Sequence, residues 1–182
     1  MKDELRTQNY FVSLRLIFNK IMAQGISIIS KDEENTQAVA RKIAPLFRSG
    51  DLIVLDGDLG AGKTYFVKGF AAGFQSQDPV NSPTFSIANF YRTTLSDILH
   101  IDLYRIATMD EFNDLGLVDY FSQSIVLIEW GKKFADYLDD HLLVSFIIEN
   151  DNTRIITFEG IGERYGLLMD ELKTTLKGGL LC

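Results

Sequence analysis

The chain has 182 residues, 46% hydrophobic and 24% charged, the mixture of an ordinary globular protein with room for one domain and one sizeable core. Its 25 acidic against 18 basic side chains give a formal charge of −7, which disfavours a broad basic face and therefore direct nucleic-acid binding as the main activity. The single cysteine, Cys182, can make no internal disulfide and fits a reducing cytoplasm, and no run reaches the ~20 apolar residues of a membrane span.

In chain order, Tyr10, Leu14, Ile17, Phe18 and Ile21 recur at helical spacing. Residues 1–21 are therefore expected to be an N-terminal extension: an amphipathic helix for a membrane surface or partner, a docked accessory helix, or a stretch ahead of a start at Met22. Arg15, Asn19 and Lys20 interrupt its apolar run and make it a poor signal peptide. Residues 22–182 are expected to form a single domain. Gly25 to Ser30 reads as a β-branched strand, and Ser30 and Glu33 have the spacing of a capping box for the helix that follows. Val39, Ile43 and Leu46 supply that helix's apolar face, and Pro45 should kink or end it. Asp51 to Asp56 is a continuous apolar run, as in a strand buried on both faces. A glycine-rich turn leads to a helix carrying Phe66, Val67, Phe70 and Phe74. Phe85 to Thr93 and Ile98 to Leu103 read as strands of a hairpin, Asp110 to Phe121 as one or two short helices around Gly116. Ile125 to Trp130 is another buried strand and Lys132 to Leu138 a short helix. Leu142 to Glu149 and Arg154 to Glu159 make a hairpin, and a helix from Glu163 to Leu176 precedes a Gly178-Gly179 tail.

The strongest chemical signal is Gly57-Asp-Leu-Gly-Ala-Gly62-Lys63-Thr64, a full match to G-x-x-x-x-G-K-[ST] between a buried strand and an amphipathic helix. Backbone N–H groups must turn inward around phosphate oxygens, and glycines permit the dihedrals and close approach this requires. The helix adds free amides and its positive dipole end. In such a loop the lysine, here Lys63, neutralises β- and γ-phosphates and the Thr64 hydroxyl ligates Mg2+. A plain glycine-rich βα turn with an incidental lysine is the bland alternative. Glu129, closing the run Ile125 to Ile128, stands where a metal-supporting acid is expected. Strand alternation puts His100, Asp102 and Tyr104 on one face, either as a site or as a solvated sheet face. Thr84 in Ser82-Pro83-Thr84-Phe85 could offer a hydroxyl to the γ-phosphate or Mg2+, or simply mark a turn-to-strand junction. Trp130, the only tryptophan, could shield the site, form a contact surface or pack; Lys132 and Lys133 read as a solvated charge pair.

Taken together and in this order, GDLGAGKT, SPTF, HIDLYR, DLGLVDYF and IEW closely resemble the bacterial TsaE family, small P-loop ATPases required for threonylcarbamoyladenosine (t6A) formation at position 37 of tRNAs that read codons beginning with A. The resemblance spans about Ser30 to Trp130 and continues more weakly through the last hairpin and helix. It implies an α/β, three-layer P-loop NTPase-like fold with a mixed central sheet flanked by helices, and residues 22–182 as one P-loop ATPase domain. It implies ATP with Mg2+, slow partner-dependent hydrolysis, and association with TsaD and TsaB, leaving tRNA contact to the partners. By motif position it assigns Gly57, Gly60, Ala61, Gly62, Lys63, Thr64 and Tyr65 to the phosphate loop and helix start, and Trp130 to the site's edge. Thr64 and Glu129 become the metal ligands, Asp102 the carboxylate that orients the attacking water, and Thr84 the neighbour of the γ-phosphate. The adenine edge falls near Glu33 and Thr36. A small P-loop kinase for a nucleotide or metabolite, and a non-hydrolysing ATP-dependent switch, are the competing readings; no arginine-rich lid supports the kinase.

Overall fold

A computed structural model describes residues 25–177; the expected N-terminal extension, the Met22 start and the Gly178-Gly179 tail lie outside the described residues. Seven strands form one mixed sheet: β1 (Ile26–Ser30), β2 (Leu52–Gly57), β3 (Ala88–Tyr91), β4 (Asp97–Asp102), β5 (Ser124–Glu129), β6 (His141–Ile148) and β7 (Arg154–Ile161). Their spatial order is β1-β7-β6-β2-β5-β4-β3. The four inner strands β6, β2, β5 and β4 are parallel, while β3, β7 and β1 are added antiparallel. β2 and β5 are apolar along nearly their whole length because helices or 3-10 turns cover both of their faces.

On one face lie α1 (Glu33–Ile43), α2 (Lys63–Gly73) and α4 (Glu163–Lys177). Their Val39, Ile43, Phe66, Phe70, Leu168 and Leu172 pack on Ile53, Leu55, Leu127, Val144 and Phe158 of the sheet. The other face is covered by α3 (Met109–Asp114) and two 3-10 segments, Leu117–Gln123 and Gly131–Tyr137, with Phe112, Phe134, Ile128 and Ile101 at its centre. The result is the three-layer α/β arrangement expected.

Local chemistry explains the element ends. α1 stops at Ile43 and tightens into a 3-10 turn, Ala44–Leu46, because Pro45 has no amide hydrogen to continue the ladder. Its N-cap differs from the expected Ser30–Glu33 box. Asp32 caps instead, accepting from the Asn35 amide at 2.7 Å, while the buried Ser30 hydroxyl meets Thr36 Oγ1 at 2.8 Å. A capping box does occur at α3, between Thr108 and Glu111. The β3–β4 hairpin is shorter than read from sequence, since Pro83 to Ile87 form a turn in which Ile87 takes φ 67°.

α1 and α2 approach closely because α2 presents Gly69 and Gly73. A Cβ at Gly69 would fall 2.1 Å from the Gln37 carbonyl oxygen, and one at Gly73 2.6 Å from Ala44 Cβ. At the opposite end of the sheet, buried Asp51 accepts from Arg164 Nη2 at 2.9 Å and from the Arg48 amide at 2.9 Å, anchoring α4 to the start of β2.

Candidate functional site

The site forms where the parallel strands end. β2 runs into the glycine loop, β4 ends on Asp102 and β5 on Glu129, and pairing sets Glu129 directly between Leu55 and Asp102. Ligands of open parallel sheets bind at such carboxyl ends. Gly57, Gly60 and Gly62 take φ of 144°, 77° and 107°, left-handed values that would strain any side chain. At Gly57 space forbids one too, since a Cβ would lie 2.6 Å from the Phe146 carbonyl oxygen.

Lys63 folds back over this loop, donating from Nζ to the Gly57 carbonyl at 2.7 Å and the Asp58 carbonyl at 2.9 Å. Its ammonium also lies 3.9 Å from the centre of a Trp130 ring. Burial pulls its pKa below 10.5, with Glu129, Asp102, Asp56 and Asp58 opposing that shift by their charge. Trp130 holds this place through a left-handed backbone, φ 62°, and its amide donates to Leu55 O at 3.0 Å, closing the end of β5 on β2.

The acids are engaged with hydroxyls. Thr64 Oγ1 donates to Glu129 Oε1 at 2.8 Å, and Thr84 Oγ1 donates to Asp102 Oδ2 at 2.5 Å. Asp102 Oδ1 accepts from the Tyr104 amide at 2.9 Å. His100 and Asp102 are both buried, so their shared face is not a solvated one; Tyr104, beyond the strand, is exposed and stacks obliquely on Trp130 at 5.2 Å. Lys132 and Lys133 are both exposed, as expected, but each also has a fixed partner. Lys132 bridges to Asp56 at 2.8 Å, whereas Lys133 caps the Leu103 carbonyl at 2.8 Å and the Ile106 carbonyl.

Two cavities flank the glycine loop. One, about 360 Å3, is lined by Lys63, Thr64, Thr84, Asp102, Glu129 and Trp130, with Gly60, Ala61, Gly62 and Tyr65 at its floor and edge. The other, also about 360 Å3, is lined by Glu33, Thr36, Gly60, Gly62, Tyr65 and Arg154. The expected phosphate-end and base-end residues thus line two cavities that share Gly60, Gly62 and Tyr65, while Gly57 lines neither and instead accepts from Lys63. Tyr65 makes a hydrogen bond to Glu33, which raises its pKa.

Arg154 is a residue that sequence reading missed. Its Nη1 donates to the Asn150 carbonyl at 2.9 Å and its Nη2 to the Gly60 carbonyl at 3.4 Å, tying the β6–β7 turn to the glycine loop. Its only sequence signal is an arginine just after a turn, which is commonplace. Among the described residues no three His, Cys, Asp or Glu side chains assemble as a metal cage. The oxygen-only donors Thr64 and Glu129 nevertheless suit a hard cation such as Mg2+, which usually takes one or two protein oxygens and completes its shell with water and phosphate. No helix among the described residues is long and apolar enough to cross a membrane.

The family model described as threonylcarbamoyl adenosine biosynthesis protein TsaE matches residues 30–156, a span that includes every expected site residue. The chain belongs to the TsaE family. Among its relatives is the tRNA threonylcarbamoyladenosine biosynthesis protein TsaE of Bacillus subtilis, 42% identical over 141 residues, covering 76% of this chain and 88% of that protein. The TsaE protein of Treponema pallidum is 34% identical over 131 residues, 71% of this chain and 96% of that one. The crystal structure of Bacillus subtilis YdiB superposes with a TM-score of 0.72 at 33% identity, covering 84% of this chain and 96% of YdiB. TsaE relatives are thus named for t6A biosynthesis, and the three-layer α/β fold is shared with a solved structure.

Proposed function

We propose that the chain binds ATP with Mg2+ and hydrolyses it slowly, as the cytoplasmic ATPase subunit that acts on the TsaD–TsaB transferase during t6A formation on tRNA. The observation that carries this reading is the convergence of Lys63, Thr64, Thr84, Asp102 and Glu129 on one cavity beside a glycine loop of left-handed φ. Loop amides and Lys63 hold the phosphate tail, and adenine lies toward Glu33 and Thr36 across the loop. Thr64 and Glu129 hold Mg2+, which when bound neutralises charge on the β- and γ-phosphate oxygens. Lys63 exchanges its two loop carbonyls for phosphate oxygens. Thr84 turns its hydroxyl to the γ-phosphate, freeing Asp102 Oδ2 to orient a water. The net negative charge leaves tRNA contact to the partners.

Titration with Mg-ATP followed by Trp130 fluorescence tests the binding step: saturable binding is expected in the wild type and loss of about 10-fold or more in affinity in Lys63→Ala, which removes a charge-assisted contact of about 1.5–3 kcal/mol. No saturable signal with folded wild type refutes the reading. Reconstituted t6A formation with TsaD and TsaB, with and without the chain, tests the role. ATP consumption coupled to a small acceptor would instead make it a kinase, and multiple rounds of modification without cleavage a switch.

A further inference from the structure

His100 is a fully buried polar side chain at the site that the proposed reaction does not use. Its Nε2 lies 2.9 Å from Glu129 Oε1, and its Nδ1 lies 3.3 Å from the Tyr91 hydroxyl. Tyr91 is itself buried, and its hydroxyl donates to the Asn81 carbonyl at 3.0 Å, three residues ahead of Thr84. With Nε2–H donating to Glu129, Nδ1 is left as an acceptor, and the Tyr91 hydroxyl braces the ring when its single proton turns from the Asn81 carbonyl to Nδ1. Glu129 Oε1 receives two donors, Thr64 from the helix start and His100 from β4, while Oε2 carries neither. A carboxylate gripped on one oxygen cannot rotate freely about its last bond, so its other oxygen keeps a fixed direction.

We infer that His100, braced by Tyr91, is a positioning residue that locks the Glu129 carboxylate in the rotamer required to support the nucleotide-bound metal. Buried ligand carboxylates elsewhere depend on such outer hydrogen bonds, whose loss costs 10–100-fold in metal affinity or activity. The alternation His100, Asp102 along β4 gives one strand two tasks: one side chain fixes Glu129 and the next holds Thr84. The inference rests on the Mg-ATP reading above.

The test is the Mg2+ dependence of ATP binding by the full chain, read from Trp130 fluorescence, in wild type, His100→Leu, His100→Gln and Tyr91→Phe. His100→Leu removes both bonds at similar volume and is expected to raise the half-saturating Mg2+ concentration about 10-fold while leaving metal-free ATP binding, in EDTA, unchanged. His100→Gln offers an amide donor where Nε2 stood and is expected to recover most of that loss. Tyr91→Phe keeps the ring's packing and loses its hydroxyl's contacts to His100, the Asn81 carbonyl and Asn89, so a shift of about 2–3-fold in the same direction is expected, and it serves if His100→Leu does not fold. Mg2+ dependence equal to wild type in His100→Leu, or in Tyr91→Phe where the former does not fold, overturns the inference. So do equal losses with and without metal, or no recovery by Gln. Wild type that never binds ATP saturably would sink the nucleotide reading itself, a separate outcome.

Discussion

Replacing Gly69 by alanine isolates what holds α1 against α2. An added Cβ would lie 2.1 Å from the Gln37 carbonyl oxygen and 2.5 Å from Gln37 Cα, whereas carbon and carbonyl oxygen approach no closer than about 3.3 Å. Both obstacles are helix backbone, so no rotamer change relieves them and the helices must part by roughly 1 Å. Overpacking of this kind costs about 1–3 kcal/mol, here toward the upper end, and alanine's better helix propensity returns about 1 kcal/mol. The net loss is about 2 kcal/mol, which lowers Tm by about 4–8 °C in a chain of this size. Gly166 in α4 is the control, since a Cβ there meets nothing within 4 Å. Gly166→Ala should leave stability unchanged or raise it by about 0.5 kcal/mol. Thermal and urea unfolding of both variants provide the comparison. Gly69→Ala as stable as wild type would refute the reasoning, because the interface would then have slack that its geometry denies.

Asp102→Asn keeps the shape of the Thr84 contact but removes the charge proposed to orient water, so ATP affinity should stay within about 3-fold while single-turnover hydrolysis falls about 100-fold or more; unchanged hydrolysis would remove Asp102 from the reaction. Asp51→Ala strands the partly buried Arg164 guanidinium and the Arg48 amide, and a loss of about 2–3 kcal/mol is expected in urea unfolding. Burial holds His141 below 6.5, the Asp139 carbonyl and Asp140 only partly opposing it. The unfolded chain therefore binds more protons in the window beneath 6.5, so the stability tied to neutral His141 is complete above that pH and drains as pH falls through the window. His141→Asn should flatten the drop in urea midpoint between about pH 7.5 and about pH 5.5; a drop as steep as wild type's would contradict it.

What could be read from the letters is what short-range physics writes there. The left-handed glycines of the loop, the apolar runs of β2 and β5 and the proline that ends α1 each follow from local dihedral or burial rules. Ser30, Asp32 and Glu33 stand within one turn, and spacing alone chose the wrong cap because the Ser30 hydroxyl is drawn to Thr36 instead. Alternation left His100 and Asp102 undecided between site and surface, since only the neighbouring β5 brings Glu129 to His100. Gly69 and Gly73 were hidden behind the phenylalanines of the same helix, their role being set by α1 rather than by α2. Lys133, Arg154 and the Asp51–Arg164 pair act on groups far away in sequence, where no spacing rule reaches.

The sheet order has a consequence for how the protein is made. Among the described residues β2, which delivers the glycine loop, pairs with β5 and β6, and β1 pairs with β7 alone. During synthesis at about 5–20 residues per second, the loop therefore waits on the order of several seconds for Ser124 onward to emerge before its strand is flanked. A nascent chain stalled before that point would carry the complete glycine motif without either strand that flanks β2 in the finished sheet.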